Sequence, residues 1–219
     1  MKVKLVSHSQ APDFNESALD LVAYCARVSN PSNQNNKETN EKLVKYLMKH
    51  KHWSPLEMVS VCLEVETTRD IARQLLRHRS FSFQEFSQRY ADPLKDLEMV
   101  PREARFQDPK NRQNSIPIDQ DDESQRRINE DFRMKQMKLI HESKQVYNWA
   151  IDNGIAKEQA RAVLPEGNTV SRLYVNGTLR SWIHYIELRS ANGTQLEHID
   201  LAIEVGRVIA KIFPLTPQD

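Results

Sequence analysis

The chain has 219 residues, and its 31 Lys and Arg side chains nearly balance its 30 Asp and Glu side chains, which leaves a formal charge of +1. A chain of this length buries roughly 70% of its unfolded surface, so it needs neither disulfides nor a structural metal to fold. The balanced charge excludes a general electrostatic attraction to nucleic acid or a membrane surface, and no apolar run reaches the ~18 residues of a membrane span.

The amino-terminal half predicts two strands and three helices. Residues 2–7 alternate polar and apolar side chains, which is typical of a half-buried strand and unlike a signal peptide. With only two cysteines in the chain, this start predicts a cytoplasmic protein. Residues 58–66 alternate strictly and form the clearest strand. The predicted helices are 18–28, with Leu21, Cys25 and Val28 facing the core, 41–50, with Leu43, Tyr46 and Leu47 inward, and one from Thr67 or Thr68 to about 78.

The carboxy-terminal half predicts further helices around one strand. Residues 80–90 follow neither period, and 105–127 form a polar stretch that we predict to be a loop. The remaining elements are helices at 124–153, 156–163, 179–189 and 195–213, and a strand at 169–175 that ends in an Asn176-Gly177 turn. Strands this scattered predict an α+β fold, with a central antiparallel or mixed sheet flanked by helices and a single domain over residues 1–219.

The densest group of chemically useful side chains lies in residues 77–89, which read RHRSFSFQEFSQR. Planar guanidinium groups bind phosphate and carboxylate oxygens through paired hydrogen bonds, so this segment predicts a site for a phosphorylated ligand. The chain has five glycines and neither G-x-G-x-x-G nor a Walker loop, so the common phosphate-binding loops are absent.

We expect this segment to pack against the core and not to be a solvated turn. At about 100° per residue, Gln74 shares a helical face with Arg77 and His78, so the site begins inside the preceding helix. Three phenylalanines interleave with the polar groups and should anchor them: Phe81, Phe83 and Phe86.

The pattern R-H-R-x-x-S-x-N/Q-x-x-S-x-R resembles the signature of the flavin-dependent thymidylate synthases. The matching positions are Arg77, His78, Arg79, Ser82, Ser87 and Arg89. A pre-specified pattern with six such positions arises by chance in a chain of this size on the order of once in 10^5. Gln84 stands where many members carry Asn.

Three further segments are similar to segments of that family. Residues 52–57 (HWSPLE) resemble H-x-[ST]-P-x-E, residues 160–165 (ARAVLP) resemble A-R-x-x-L-P, and residues 180–189 resemble R-x-x-x-[NH]-F/Y ending in arginine. Met58 and Thr178 depart from the family, because relatives often carry His and Asn there. The resemblance covers roughly residues 50–200 and leaves the polar stretch at 105–127 unmatched.

The resemblance implies the reductive methylation of dUMP to dTMP, with methylenetetrahydrofolate as the carbon donor, reduced FAD as the hydride source and NADPH as the reductant of FAD. It also implies a homotetramer and no metal site. The implied dUMP ligands are Gln74, Arg77, Glu85, Phe86, Ser87, Gln88, Arg89, Arg161 and Arg189. The implied FAD ligands are Ser54, Arg77, His78, Arg79, Glu85, Thr178, Arg180 and His184.

Helix geometry adds a prediction about assembly. Arg180 and Arg189 are nine residues apart, so on one straight helix they face opposite directions. One pocket of one subunit should not hold both. Since the resemblance assigns them to different ligands, we predict active sites that are shared between chains of a homo-oligomer.

The sequence also bears on how uracil C5, a poor nucleophile, is activated. Neither Cys25 nor Cys62 lies in a positively charged sequence setting that would favour a thiolate. An arginine held against the pyrimidine stabilises negative charge at N3 and O2, and the resemblance selects Arg189 as this catalytic residue. Ser87 has no evident base nearby in sequence, so we assign it a binding role.

Two other functions remain open at this point. One is an RNA-binding module in which phenylalanines 81, 83 and 86 stack on bases and phosphates are bound by Arg73, Arg77, Arg79 and Arg89. The balanced charge opposes it. The other is a metal-dependent nucleotide-phosphate hydrolase using Glu57, Glu64 and Glu85, which lack convincing ligand spacing.

Overall fold

The structure is a computed structural model that describes residues 1–12, 17–191 and 193–217. Its strands are β1 (Lys2–His8), β2 (Ser60–Thr68), β3 (Ser82–Glu85), β4 (Arg105–Gln107), β5 (Ser115–Pro117) and β6 (Val170–Thr178). Its α-helices are α1 (Ala18–Ala26), α2 (Asn40–Lys49), α3 (Arg69–Leu75), α4 (Pro93–Asp96), α5 (Glu123–Asp152), α6 (Lys157–Ala160), α7 (Leu179–Arg189) and α8 (Leu196–Ala210). Short 3-10 turns cover Pro31–Asn33, Ser54–Met58 and Arg161–Val163.

The main sheet has four strands in the order β1-β2-β6-β3, and every neighbouring pair is antiparallel. The register pairs Leu63 with Val175 on one face and Glu64 with Tyr174 on the other. Because side chains alternate across a strand, one face of the sheet is apolar and the other is polar. The predicted α+β class and antiparallel sheet are confirmed.

The hydrophobic core lies between the apolar face of the sheet and helices α1, α7 and α8. The indole of Trp182 on α7 is fully buried and donates a hydrogen bond to the carbonyl of Val61 at 3.0 Å. The strict alternation predicted for β2 is confirmed, since the apolar side chains of this segment are 0% exposed: Val59, Val61, Leu63 and Val65.

Helix α7 positions the candidate site. It begins directly after β6, where the hydroxyl of Thr178 accepts a hydrogen bond from the backbone N–H of Ser181 at 3.2 Å. Since Thr178 pairs with Ser60 and Thr68 pairs with Val170, α3 and α7 start at opposite ends of the sheet. The last turn of α7 therefore reaches the segment that follows α3.

Three predicted elements differ in the structure. Helix α3 ends at Leu75 and not at 78, because the backbone N–H groups of Arg77 and His78 bond carbonyls three residues back and close a tight turn. Residues 82–85 form the edge strand β3, whose four residues are too few for a visible period. Asn176-Gly177 lies inside β6 and is not a turn.

Burial also corrects several predictions. Val28 is 70% exposed because α1 ends at Ala26, and Tyr46 is 53% exposed because α2 turns other side chains inward. Cys25 is half-buried and does not belong to the buried core. The predicted loop at 105–127 contains the β4–β5 hairpin and the start of α5.

Within the described ranges, no helix combines the length and apolar character needed to cross a membrane.

Candidate active site

The signature segment is anchored as predicted. Phe81 is 8% exposed, and its ring lies 4.3 Å from that of Trp182, while Phe83 pairs with Val175 in the sheet. The backbone N–H of Phe86 donates to the carbonyl of Arg172 at 2.8 Å. The polar side chains between these anchors are therefore held in fixed directions.

The first group of site residues surrounds the end of α7, and we call it the Arg189 cluster: Gln74, His78, Tyr185, Arg189 and His198. Arg189 Nε donates to His78 Nε2 at 2.9 Å. An imidazole nitrogen that accepts a hydrogen bond carries no proton, so His78 is neutral with its proton on Nδ1. Burial, with the charges of Arg189 and Arg77, lowers the pKa of His78 to about 4 and keeps it neutral. The Nη groups of Arg189 have no carboxylate partner among the described residues.

A buried hydrogen-bonded chain lies behind Arg189. His198 is 0% exposed, and its Nδ1 lies 3.1 Å from Gln74 Oε1 while its Nε2 lies 3.1 Å from the Tyr185 hydroxyl. Gln74 Nε2 donates to Gln195 Oε1 at 2.9 Å. Burial, with the positive charge of Arg189, lowers the pKa of His198 to about 3.

The sequence prediction missed His198, Tyr185 and Gln195. A signal for His198 was present, because it lies on the stripe of α8 that also carries Leu201, Ala202 and Val205. A polar side chain on an apolar stripe has to find a buried partner.

The second group, the Arg161 cluster, comprises Arg161, Arg89 and the acidic residues that hold this region. Arg89 Nε donates to Glu158 Oε2 at 3.2 Å, and Arg73 forms an ion pair with Glu166. The 157–166 segment is thus tied at both ends to α3 and the signature segment. Arg161 lies between these two ties, is half-buried, and has no ion-pair partner in the described part of the chain.

The turn at 86–89 contains an unsatisfied polar group. The carbonyl of Ser87 accepts from the backbone N–H groups of Tyr90 and Ala91, which fixes the turn. Gln88 is 4% exposed, and its Nε2 has no hydrogen-bond partner among the described residues. A buried donor without a partner lowers the stability of the folded protein by about 1–3 kcal/mol. A ligand oxygen that accepts a hydrogen bond from Gln88 Nε2 would remove this cost.

Glu85 is already engaged within the chain. Its Oε1 accepts from the Ser171 hydroxyl at 2.8 Å and from Arg69 Nη1 at 3.4 Å. Arg77 and Glu85 are the two residues predicted to bind both ligands. One carboxylate oxygen of Glu85 is already used within the chain, whereas Arg77 is exposed.

The third group, the Arg180 cluster, lies at the other end of α7: Trp53, Ser54, Glu57, Thr178, Arg180 and His184. Arg180 forms an ion pair with Glu57, and the rings of Trp53 and His184 meet edge to face at 4.6 Å. Thr178 caps α7, and Ser54 is exposed at the start of a 3-10 turn.

The donor set fits a flavin dinucleotide in its chemistry. Arg77 and Arg79 are exposed guanidinium groups without an ion pair in the described ranges, and such groups suit a pyrophosphate. The rings of Trp53 and His184 offer a surface for a planar ring. The cleft of about 580 Å³ beside the β4–β5 hairpin is lined by Gln195 but by none of the predicted ligand residues.

The thiols are poorly suited to nucleophilic attack. Burial raises the pKa of the Cys25 and Cys62 thiols, which disfavours the thiolate. This agrees with the prediction that uracil is activated without a cysteine.

The geometry also weighs against the two alternative functions. Phe81 is buried and cannot stack on a base, and Arg73 is already ion-paired with Glu166. Glu57 binds Arg180 and Glu85 binds Ser171, so these carboxylates serve different contacts. The part of the chain described by the structure contains no group of three or more His, Cys, Asp and Glu side chains suited to a metal ion.

Comparison with known proteins shows which family the chain resembles. The family model described as "Thymidylate synthase complementing protein" matches residues 4–215. A "Probable flavin-dependent thymidylate synthase" of Paramecium bursaria Chlorella virus 1 is 49% identical over 216 residues, covering 98% of this chain and 96% of the relative. The "Flavin-dependent thymidylate synthase" of Synechocystis sp. is 48% identical over 194 residues, covering 89% and 85%. The crystal structure of a UMP/dUMP methylase, PolB from Streptomyces cacaoi bound with 5-Br dUMP, superposes with a TM-score of 0.77 at 29% identity and covers 96% of this chain and 90% of that one.

Proposed function

Because this chain belongs to the family of flavin-dependent thymidylate synthases, we propose that the Arg189, Arg161 and Arg180 clusters are parts of one kind of active site that binds dUMP and FAD. The protein methylates dUMP to dTMP, with methylenetetrahydrofolate as carbon donor, FAD as cofactor and NADPH as reductant. FAD, when bound, supplies the hydride that completes the methyl group.

The observation that carries the site assignment is the contact between Arg189 and neutral His78. Since His78 accepts from Nε, the guanidinium group is held by one edge and both Nη groups remain available. We assign these groups to N3 and O2 of the uracil ring, where they stabilise negative charge and raise electron density at C5. Arg189 is thus the proposed catalytic residue.

We assign the dUMP phosphate to the Arg161 cluster. Arg161 has no acidic partner in the described residues, and the amide of Gln88, which precedes Arg89 in the signature turn, has an unpaired donor. Ser87 and Arg89 belong to the same turn, and the remaining predicted dUMP ligands are Gln74, Arg77, Glu85 and Phe86. The similar methylase that binds 5-Br dUMP supports a nucleotide at this fold.

We assign FAD to residues at both ends of α7: Ser54, Arg77, His78, Arg79, Glu85, Thr178, Arg180 and His184. Arg180 and Arg189 are nine positions apart on α7, which corresponds to about 13 Å along the helix axis. We therefore propose a homotetramer whose active sites each take residues from more than one chain. We also propose that residues 1–219 act as one domain in the cytoplasm, in keeping with two free cysteines.

Substitution of Arg189 tests the assignment. We expect purified protein to be yellow, and Arg189→Ala to lower kcat by about 10²–10³ while the flavin spectrum persists, because a charge-stabilising donor is lost. Arg207→Ala, which removes an exposed arginine from α8, is the matched control and should stay active. Full activity of Arg189→Ala would remove Arg189 from the mechanism, and a colourless protein that cannot be reconstituted with FAD would contradict the flavin site.

A further inference from the structure

The buried chain behind Arg189 has a direction that can be worked out from its chemistry. It begins at Glu197, whose carboxylate can only accept, and Gln195 Nε2 donates to it at 2.9 Å. Arg105 and Arg102 hold the same carboxylate, with Arg105 Nη2 at 2.6 Å from Oε1. The amide of Gln195 therefore has one orientation, with Oε1 turned toward Gln74.

The next two bonds follow from the first. Gln74 must donate from Nε2 to Gln195 Oε1, at 2.9 Å, which turns Gln74 Oε1 toward His198. Because that oxygen can only accept, His198 Nδ1 must carry the proton and donate at 3.1 Å. His198 Nε2 is then an acceptor, and the Tyr185 hydroxyl donates to it at 3.1 Å.

This hydrogen-bonded chain determines which group of the Gln74 amide remains free. One N–H of Gln74 is used by Gln195 and one lone pair of Oε1 is used by His198, so the second N–H remains for a ligand. Gln74 is partly exposed, whereas His198 and Tyr185 are 0% and 1% exposed and do not face solvent. A glutamine without these partners can rotate its amide by half a turn and present oxygen in place of N–H.

We propose that His198 and Tyr185 are positioning residues that hold the Gln74 amide with its free N–H toward an acceptor oxygen of dUMP. This inference rests on the proposed function of the site, because it takes Gln74 as a nucleotide ligand. The two residues do not touch the substrate. They act by excluding the amide orientation that would turn the Gln74 oxygen toward the oxygens of the nucleotide.

The surroundings keep His198 in the required tautomer. Burial, together with the positive charge of Arg189, lowers the pKa of His198 to about 3, so it is neutral at neutral pH. Burial also raises the pKa of the Tyr185 hydroxyl, which remains a donor. Burying the polar atoms of a histidine or a tyrosine costs desolvation free energy that apolar side chains of the same shape do not lose. Hydrogen bonds to each buried polar atom, as found here, offset this cost.

A double-mutant cycle on dUMP binding tests the proposal. The variants are His198→Leu, Gln74→Ala and their combination, and the measurement is the Kd for dUMP by calorimetry on FAD-loaded protein. We expect His198→Leu and Gln74→Ala each to raise Kd about three- to tenfold, since each removes the oriented hydrogen bond. Adding His198→Leu to Gln74→Ala should have no further effect, because His198 acts only through Gln74.

Two more variants separate positioning from simple stability. His198→Asn keeps a donor near the Nδ1 position and should restore most of the affinity, which a purely structural role would not predict. Leu201→Ala removes a fully buried side chain from the same helix, so it should lower thermal stability yet leave the Kd for dUMP unchanged.

The possible results are distinct. Additive effects in the double variant, or a Kd for His198→Leu equal to that of the wild type, would overturn the positioning role. If His198→Leu does not fold, the comparison of His198→Asn with Tyr185→Phe decides, since only the latter leaves His198 Nε2 unpaired and should weaken dUMP binding. Failure of the wild-type protein to bind dUMP would instead refute the proposed function.

Discussion

At the scale of single residues, the partner of each arginine decides what that arginine can do. Arg172 forms an ion pair with Glu66, and this hydrogen bond lowers the pKa of the Glu66 carboxyl. Arg102 is likewise paired with Asp70. Arg189 is held by a neutral imidazole, which orients the guanidinium group without neutralising its charge. Its positive charge therefore remains available to a ligand.

The cysteines provide a test at the same scale. We expect the double variant with Cys25→Ser and Cys62→Ser to form dTMP within a factor of about three of the wild-type rate, because neither thiol is activated. The measurement is turnover, with circular dichroism to verify the fold. Complete loss of activity in a folded, flavin-bound variant would instead indicate a cysteine nucleophile.

At the scale of elements, the signature segment depends on the close contact of two strands. Phe81 precedes the edge strand β3 and packs over Gly177 in β6. A Cβ atom on Gly177 would lie 2.3 Å from a ring carbon of Phe81, so the backbone at this position leaves no room for a side chain. The anchoring of the signature thus relies on a glycine about a hundred residues away in sequence.

Replacing that glycine tests the contact. Gly177→Ala should destabilise the protein by about 1–3 kcal/mol through overpacking against Phe81, as measured by urea denaturation. Gly167→Ala is the matched control and should have little effect, because nothing lies within 4 Å of a Cβ there. Combining Gly177→Ala with Phe81→Leu should recover part of the loss. Unchanged stability of Gly177→Ala would mean that the ring is free to move away.

At the scale of the whole molecule, α7 joins two clusters that face different directions. Its first turn holds Arg180 beside Glu57, and its last residue, Arg189, contacts His78. A helix that crosses the sheet in this way holds the two proposed ligand residues in two different places. This geometry is the basis for expecting sites that are completed by another chain.

Subunit complementation tests shared sites. Arg180→Ala and Arg189→Ala should each be inactive, yet co-expression of the two should restore up to about a quarter of wild-type activity by random assembly of oligomers. Co-expression of Arg180→Ala with the variant that lacks both arginines is the control and should restore nothing. No recovery in oligomers shown to contain both chains would contradict sharing.

The buried histidines make a prediction about pH and stability. The pKa values of His78 and His198 are lowered to about 4 and about 3, so the unfolded chain takes up protons first as the pH falls below about 6.5. Stability is therefore unaffected by these two groups above about pH 6.5 and decreases as the pH falls from 6.5 toward 4.

Urea denaturation at several pH values measures this loss. His198→Leu should show a shallower dependence on pH between 6.5 and 4, whereas the exposed His141→Gln should behave like the wild type. An unchanged dependence in His198→Leu would mean that other groups cause the loss.

The sequence by itself determined the features that depend on neighbours along the chain. The alternation of β2, the long helix α5 and the bounds of α7 follow from local periodicity, and the family follows from a signature within thirteen residues. Only the tertiary structure decided the contacts between distant residues. Arg189 meets His78 across 111 residues, and His198 meets Gln74 across 124. These contacts depend on the strand register and on how α7 and α8 pack over the sheet, and local sequence patterns predict neither of them.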